Sequence, residues 1–389
     1  MTPSQFITLR HQLHRHAQIS GQEQYAHDVI VDYLSSLHST RYWTYVGTSE
    51  CGRAYGAAAV WESDPKAPTI VFRADNDALP INETLSLDYA SCSAGMAHKC
   101  GHDGHTTILL LLADLVDDAF QQGKLACNVL LLWQPEEETG LGSRKMIDAN
   151  ILQQYDVRAV YGFHNIPGYS RNEVIIVKDT FAAASVGLEI WLHGRQTHAS
   201  TPEKGVNPGE AVAQLIRHFA SFGNTDAAPR LFRQSTLICV RLGSEVFGTS
   251  AGDAYVAFTL RAFSNDAMKH LLGQAQQAAR DIAQQQGLQV RMSLREPFYA
   301  TENHHAQVET LERLCQTIGR HYTFRPQPFR WSEDFANYLM QWPGAMFGIG
   351  SGEDHCELHH PDYDFPDDVI APTADLLLSL ILYFNETLN

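Results

Sequence analysis

The sequence predicts an α/β protein, a sheet flanked by helices, with a smaller α+β unit inserted into it. Three observations carry this prediction. Almost wholly apolar runs at 69–74, 128–133 and 159–163 each lead into polar residues with ligand chemistry. Runs of that kind are buried on both faces, and such sheets carry their chemistry at the carboxyl ends of their strands. From about Val186 to Leu294 the texture changes to partly alternating runs separated by two helical stretches. Finally, 389 residues exceed what one simple core usually holds.

In chain order, residues 5–37 read as one long amphipathic helix, with Phe6, Leu9, Leu13 and then Val29, Ile30, Tyr33 and Leu34 at helical spacing. Residues 54–61 and 69–74 read as strands, the second running into Asp75-Asn76-Asp77. A polar cluster at 98–105 precedes a helix over 106–121. The strand 128–133 ends in Gln134-Pro135-Glu136-Glu137-Glu138, and the strand 159–163 in His164. In the second texture, a strand over 188–193, a helix over 207–222, strands over 237–242 and 255–263, a helix over 267–286 and a strand over 288–294 give the order β-α-β-β-α-β. That order fits a split βαβ unit. After residue 295 the first texture resumes, with a strand over 343–350 and a closing helix over 368–384.

Composition narrows the function. The 44% apolar and 19% charged content is that of a well-buried globular enzyme. With 28 basic against 44 acidic residues the formal charge is −16, which argues against nucleic acid or an anionic membrane as partner. No window approaches the ~18 apolar residues of a membrane span, and the N-terminus lacks a signal-peptide core, so a cytoplasmic protein is expected. Seven cysteines, at 51, 92, 100, 127, 239, 315 and 356, form no disulfide framework and fit a reducing compartment.

The densest chemistry lies in His98-Lys99-Cys100-Gly101-His102-Asp103-Gly104-His105. Cys100 and His102 flank a glycine whose missing side chain lets both turn toward one point. A thiolate with an imidazole suits zinc, manganese or nickel better than magnesium or calcium. The plainer alternative is a polar helix start capped by Asp103. Glu136-Glu137-Glu138 repel one another unless a cation or proton relieves them, so one carboxylate could hold metal while its neighbour takes a proton from water. A solvated acidic loop is the plainer reading there. His164 and the pair His359-His360 are ambiguous when taken singly.

Together these segments resemble the amidohydrolase branch of the metallopeptidase family that includes aminoacylases, glutamate carboxypeptidases, hippurate hydrolase and auxin-conjugate hydrolases. The matching segments run nearly end to end: Leu13-His14 with Glu23, Phe72 through Pro80, Cys100 through Thr106, Gln134-Pro135 with Glu137-Glu138, Gly162 through Asn165, Gly194 through His198, Ser332 through Phe335, and Leu358 through Phe365. The resemblance implies a zinc-peptidase-like catalytic domain over 1–182 and 296–389, with a mixed central sheet. It also implies an inserted ferredoxin-like dimerisation or lid domain over 183–295. Cys100, His102, Glu138, His164 and His359 would hold one or two divalent metals, Glu137 would be the general base and Asp77 would orient a ligand. His198 would reach a partner's site in a homodimer and stabilise the oxyanion, and Arg261 would bind substrate. The implied reaction is hydrolysis of a small-molecule amide, such as an N-acyl amino acid.

Three departures from the family pattern stand out. Gly248-Thr249-Ser250-Ala251 replaces the usual Asn-Val-Ile-Pro and removes an amide that helps hold a substrate carboxylate. Ala17-Gln18 replaces Pro-Glu, and His360 replaces a smaller polar residue, without removing a ligand. The alternatives are an inactive relative that binds a small ligand or metal, and a metal-free cysteine hydrolase using Cys100. A nucleobase deaminase is discouraged by the missing Pro-Cys-x-x-Cys.

Overall fold

The computed structural model describes residues 2–49, 52–224 and 231–387, and Cys51 lies outside them. Contacts divide the chain into two compact units, one of Met1–Phe181, Glu302–Pro326 and Asp334–Asn389, the other of Ala182–Thr301 and Gln327–Glu333. The first unit opens with helices α1 (Pro3–Arg15) and α2 (Gln24–Ser35). It continues with strands β1 (Arg41–Ser49), β2 (Gly52–Trp61) and β3 (Pro68–Asp75), helix α3 (His102–Gln121), strand β4 (Asn128–Gln134), helix α4 (Gly142–Asp148) and strands β5 (Asp156–Pro167) and β6 (Val174–Ile176).

The second unit holds β7 (Ala184–His193), β8 (Thr197–His198), α5 (Gly209–Ala220), β9 (Arg233–Leu242), β10 (Thr249–Ser250), β11 (Asp253–Ala262), α6 (Asn265–Gln285) and β12 (Gln289–Phe298). The chain then returns to the first unit with α7 (His305–Ile318), β13 (Tyr322–Phe324), α8 (Ala336–Leu339), β14 (Gly344–Gly352) and α9 (Ile370–Thr387).

Eight strands of the first unit form a mixed sheet in the order β1-β2-β4-β3-β5-β14-β6-β13. Its centre is parallel: β3 pairs in parallel with β4 and β5, and β14 with β5. All seven residues of β4 are buried, as expected of a strand covered on both faces. Helix α3 is buried almost all round, and Leu109, Leu112, Ala113 and Val116 lie in the core that also takes in Leu377, Leu380 and Ile381 of α9. In the second unit β12-β7-β11-β9 form an antiparallel sheet. Leu188, Ile190, Val256 and Leu260 of that sheet share a core with Leu215 of α5 and Leu271 of α6.

One expectation fails. The single helix over 5–37 is two helices, because residues 16–23 leave the helical path. Ile19 forms a parallel bridge with Ala78, the Ala78 N–H donates to the Gln18 carbonyl at 2.9 Å, and Gly21 turns at φ +82°. Helical periodicity on both sides is overridden by a tertiary contact with the end of β3. Helix α3 also begins at His102, four residues earlier than 106, which puts the first imidazole on its opening turn.

Candidate metal centre

The carboxyl ends of β3 and β4, the inner part of β5 and the start of α3 supply one cluster. Gly101, at φ +93°, is the hinge, and a Cβ there would lie 2.7 Å from Asn165 Oδ1. A side chain would therefore be both strained and obstructed, so glycine is what lets Cys100 and His102 meet.

His102 is wholly buried, and its Nδ1 donates to Asp77 Oδ1 at 3.1 Å. The other Asp77 oxygen accepts from Ser20 Oγ at 2.7 Å and from the Glu138 N–H at 3.1 Å. With Nδ1 held by Asp77, Nε2 of His102 is the nitrogen left for a cation, which would displace the proton that the acidic neighbours favour there. His164 is arranged alike: Nδ1 donates to the Asn165 carbonyl at 2.8 Å, leaving Nε2 3.5 Å from Cys100 Sγ. His359 Nε2 lies 3.4 Å from Glu138 Oε1, and its backbone N–H donates to the Lys99 carbonyl at 2.7 Å.

Ligand atoms of Cys100, His102 and His164 lie within 4.8 Å of one another, and so do those of Cys100, Glu138 and His359. Cys100 is common to both groups. Glu137 joins His102 and Glu138 in a third. His102 Nε2 and Glu138 Oε1 are buried, yet neither has a hydrogen-bond partner among the described residues. Lone pairs left unmet in a buried site are costly unless a cation meets them. A thiolate, imidazoles and a carboxylate together suit a divalent metal ion.

Charge organises the rest. Burial opposes ionisation of Asp77, but hydrogen bonds from His102, Ser20 and Glu138 bring its carboxyl below the usual range. Burial would lower His102, and Asp75, Cys100 and Asp77 reverse this, holding the imidazole well above its usual range. For His164 burial and the neighbouring His105 act together and keep the ring neutral, the form a metal needs. Burial, with Glu138 nearby, raises the Cys100 thiol.

Several residues to which the sequence assigned no role complete the frame. Arg73 donates to Asp75 and to Asp334, each at 2.7 Å, and to Gln134 at 2.9 Å. Asp334 also accepts from the Ser143 N–H at 2.9 Å, and its own N–H donates to Glu137 Oε1 at 3.3 Å. Asp75 takes a 2.6 Å hydrogen bond from His105 Nδ1, while His105 Nε2 accepts the Asn165 N–H at 3.2 Å. Both nitrogens of His105 are therefore engaged, which sets it apart from the donors. Asp103 lies 2.9 Å from Arg10 Nε and from His14 Nδ1, tying α1 to α3. The signal for these residues was present in Arg73-Ala74-Asp75 and Ser332-Glu333-Asp334, but their partners are remote in sequence.

Asp77, Cys100, His102, Glu137, Glu138, His164 and His359 thus lie in the first unit. His198 and Arg261 belong to the second. His198 is exposed on β8, paired with Thr249 of β10, and its Nδ1 is 2.7 Å from Ser200 Oγ. Residues 248–251 therefore form part of the short ribbon that carries it. Arg261, on β11, donates to the Arg330 carbonyl and to Ser332 Oγ, both at 2.9 Å.

The family model described as peptidase family M20/M25/M40 matches residues 71–383. An uncharacterized hydrolase of Staphylococcus haemolyticus is 27% identical over 392 residues, spanning 99% of this chain and 100% of that protein. Two solved structures share the fold. One is the YXEP protein of Bacillus subtilis, described as a dinuclear metal binding peptidase from the M20 family, with a TM-score of 0.83 at 23% identity over 99% of each chain. The other is an aminobenzoyl-glutamate utilization protein from Klebsiella pneumoniae, with a TM-score of 0.69 at 18% identity over 97% of this chain and 95% of that one.

Proposed function

The chain belongs to peptidase family M20/M25/M40, and from that premise we propose that it is a homodimeric hydrolase of N-acyl amino acids or related aminoacyl conjugates. Membership makes it a metal-dependent enzyme of the amidohydrolase and metallopeptidase kind. One observation carries the site assignment: His102 Nε2 and Glu138 Oε1, buried and without a hydrogen bond among the described residues, gather with Cys100, which stands in both donor groups. On this reading Cys100, His102 and His164 hold one cation, and Cys100, Glu138 and His359 a second, each zinc, manganese or nickel.

When bound, a divalent cation supplies the Lewis acidity that brings proton loss from water near neutral pH. Glu137 takes that proton as the water oxygen bonds to the amide carbon. It returns the proton to the amide nitrogen as the C–N bond breaks, releasing a carboxylic acid and an amine. Asp77 holds the Nδ1 proton of His102, fixing its tautomer. His198, from the second copy of the chain, donates to the developing oxyanion, and Arg261 binds the substrate carboxylate. The inserted unit would form the dimer.

Metal analysis of the purified protein, followed by a screen over N-acyl amino acids, aryl-acyl glycine conjugates and dipeptides, tests the reaction. Metal uptake with no hydrolysis across that panel would favour the inactive, ligand-binding alternative. Mixing Glu137→Gln with His198→Ala subunits tests the dimer, because activity returns on exchange if His198 serves the other copy's site.

A further inference from the structure

Glu23 is wholly buried at the start of α2, and no step above uses it. Its Oε1 accepts the Gly21 N–H and the Glu136 N–H, each at 2.9 Å. Glu136 stands at φ +56°, a left-handed conformation that residues with a Cβ rarely adopt. The chain turns there, just past β4, immediately before Glu137 and Glu138. The rest of Glu136 is also tied down. Lys145 Nζ lies 2.6 and 2.7 Å from its two carboxylate oxygens, and its carbonyl accepts the Gly142 N–H at 3.2 Å and Thr139 Oγ at 3.1 Å. Such strain persists where the surroundings over-determine it.

We infer that Glu23 is a positioning residue: by gripping the Glu136 N–H it holds the left-handed turn that aims Glu137 and Glu138. This rests on the roles given above to those two carboxylates. Space filling does not account for an acid at this position. Burial and the nearby Asp77 push the Glu23 carboxyl up to about 8, and its Oε2 has no partner among the described residues. A methionine of similar size would fill the same space without that penalty. The same 16–23 segment holds Asp77 through Ser20, so one break between helices supports both the ligand-orienting carboxylate and the acidic turn.

The test compares Glu23→Met with Glu23→Gln, which keeps an oxygen for the two N–H groups. Three quantities are read: Tm, the affinity of metal-free protein for Co2+ alone, and kcat with KM on whichever amide the screen identifies. Glu23→Met is expected to keep or raise Tm, to bind Co2+ about 10- to 100-fold more weakly and to lose kcat by a similar factor with KM little changed. Glu23→Gln is expected to recover most of both losses. Glu23→Met with Co2+ affinity and kcat within about twofold of wild type would overturn the inference, as would equal impairment of both variants. If Glu23→Met does not fold, Glu23→Asp, which withdraws the oxygen by one methylene, takes its place with the same expected losses. A screen without any hydrolysis counts against the enzymatic reading, and Co2+ affinity then decides the positioning of Glu138 by itself.

Discussion

In the first unit Asp77 is buried and accepts hydrogen bonds from His102, Ser20 and Glu138, whereas in the second unit His198 stands in solvent on a two-residue strand beside Ser200. The first arrangement is fixed before any substrate arrives, because each oxygen and ring nitrogen has a set direction. The second leaves an imidazole ring, to which the proposal gives a role, free of the core. A residue held by many partners couples rate to stability, and a residue in solvent can change rate while stability stays put.

The most severe way to break this contrast is Cys100→Ala, which removes the donor common to both groups. Metal content and hydrolysis should both fall to background, and retained metal at full occupancy would refute the shared role of Cys100. Glu137→Gln should keep its metal but lose kcat by about 10²- to 10⁴-fold, as removal of a general base does. Asp103→Asn leaves buried Arg10 with Asp364 and Asp367 as its remaining acidic partners, and denaturant unfolding should show a loss of about 1.5–3 kcal/mol. His198→Ala sharpens the contrast from the other side: kcat should fall about 10²- to 10³-fold with Tm unchanged. A drop in Tm alongside the rate would show His198 to be structural.

The smallest effect concerns acid. Burial pushes the Glu83 carboxyl up, but hydrogen bonds from His14 and Lys99 outweigh it and bring it to about 2, against an ordinary value of 4.5. Stabilisation from this group is full above about pH 4.5 and is lost as the pH falls toward 2. For His14, burial lowers the ring and Asp103 and Glu83 more than reverse it, so its contribution is present below its ordinary 6.5 and lost as pH rises through the higher folded value. Glu83→Gln should flatten the acid side of the stability profile, and an unchanged slope between pH 2 and 4.5 would exclude this account.

Some of this was legible in the residues and some was not. Strands β3, β4 and β5 were readable because burial on both faces leaves a nearly unbroken apolar run, and β7, β9, β11 and β12 because partial alternation marks a sheet with one covered face, whereas the two-residue strands β8 and β10 are too short to carry a pattern. Helix α7 was missed although Val308, Leu311, Leu314 and Cys315 repeat at helical spacing and are buried. The break at 16–23 was hidden because its cause, the Ile19–Ala78 bridge, is a contact between segments that do not announce each other. Ligand-type residues could be picked out by their motifs. The hydrogen bond from Arg73 to Asp334, 261 residues away, could not, since nothing local encodes such a partner.

His359 bears on biosynthesis. Its backbone N–H is tied to the Lys99 carbonyl and its ring reaches Glu138, while Ser20 holds Asp77, so the cluster draws on segments as far apart in sequence as residues 20 and 359. Contacts of such long sequence separation form slowly and only once both segments exist. A nascent chain paused on the ribosome after the 98–105 cluster carries Cys100 and His102 but not Glu138, His164 or His359. Both donor groups would therefore be complete only once residue 359 has been made.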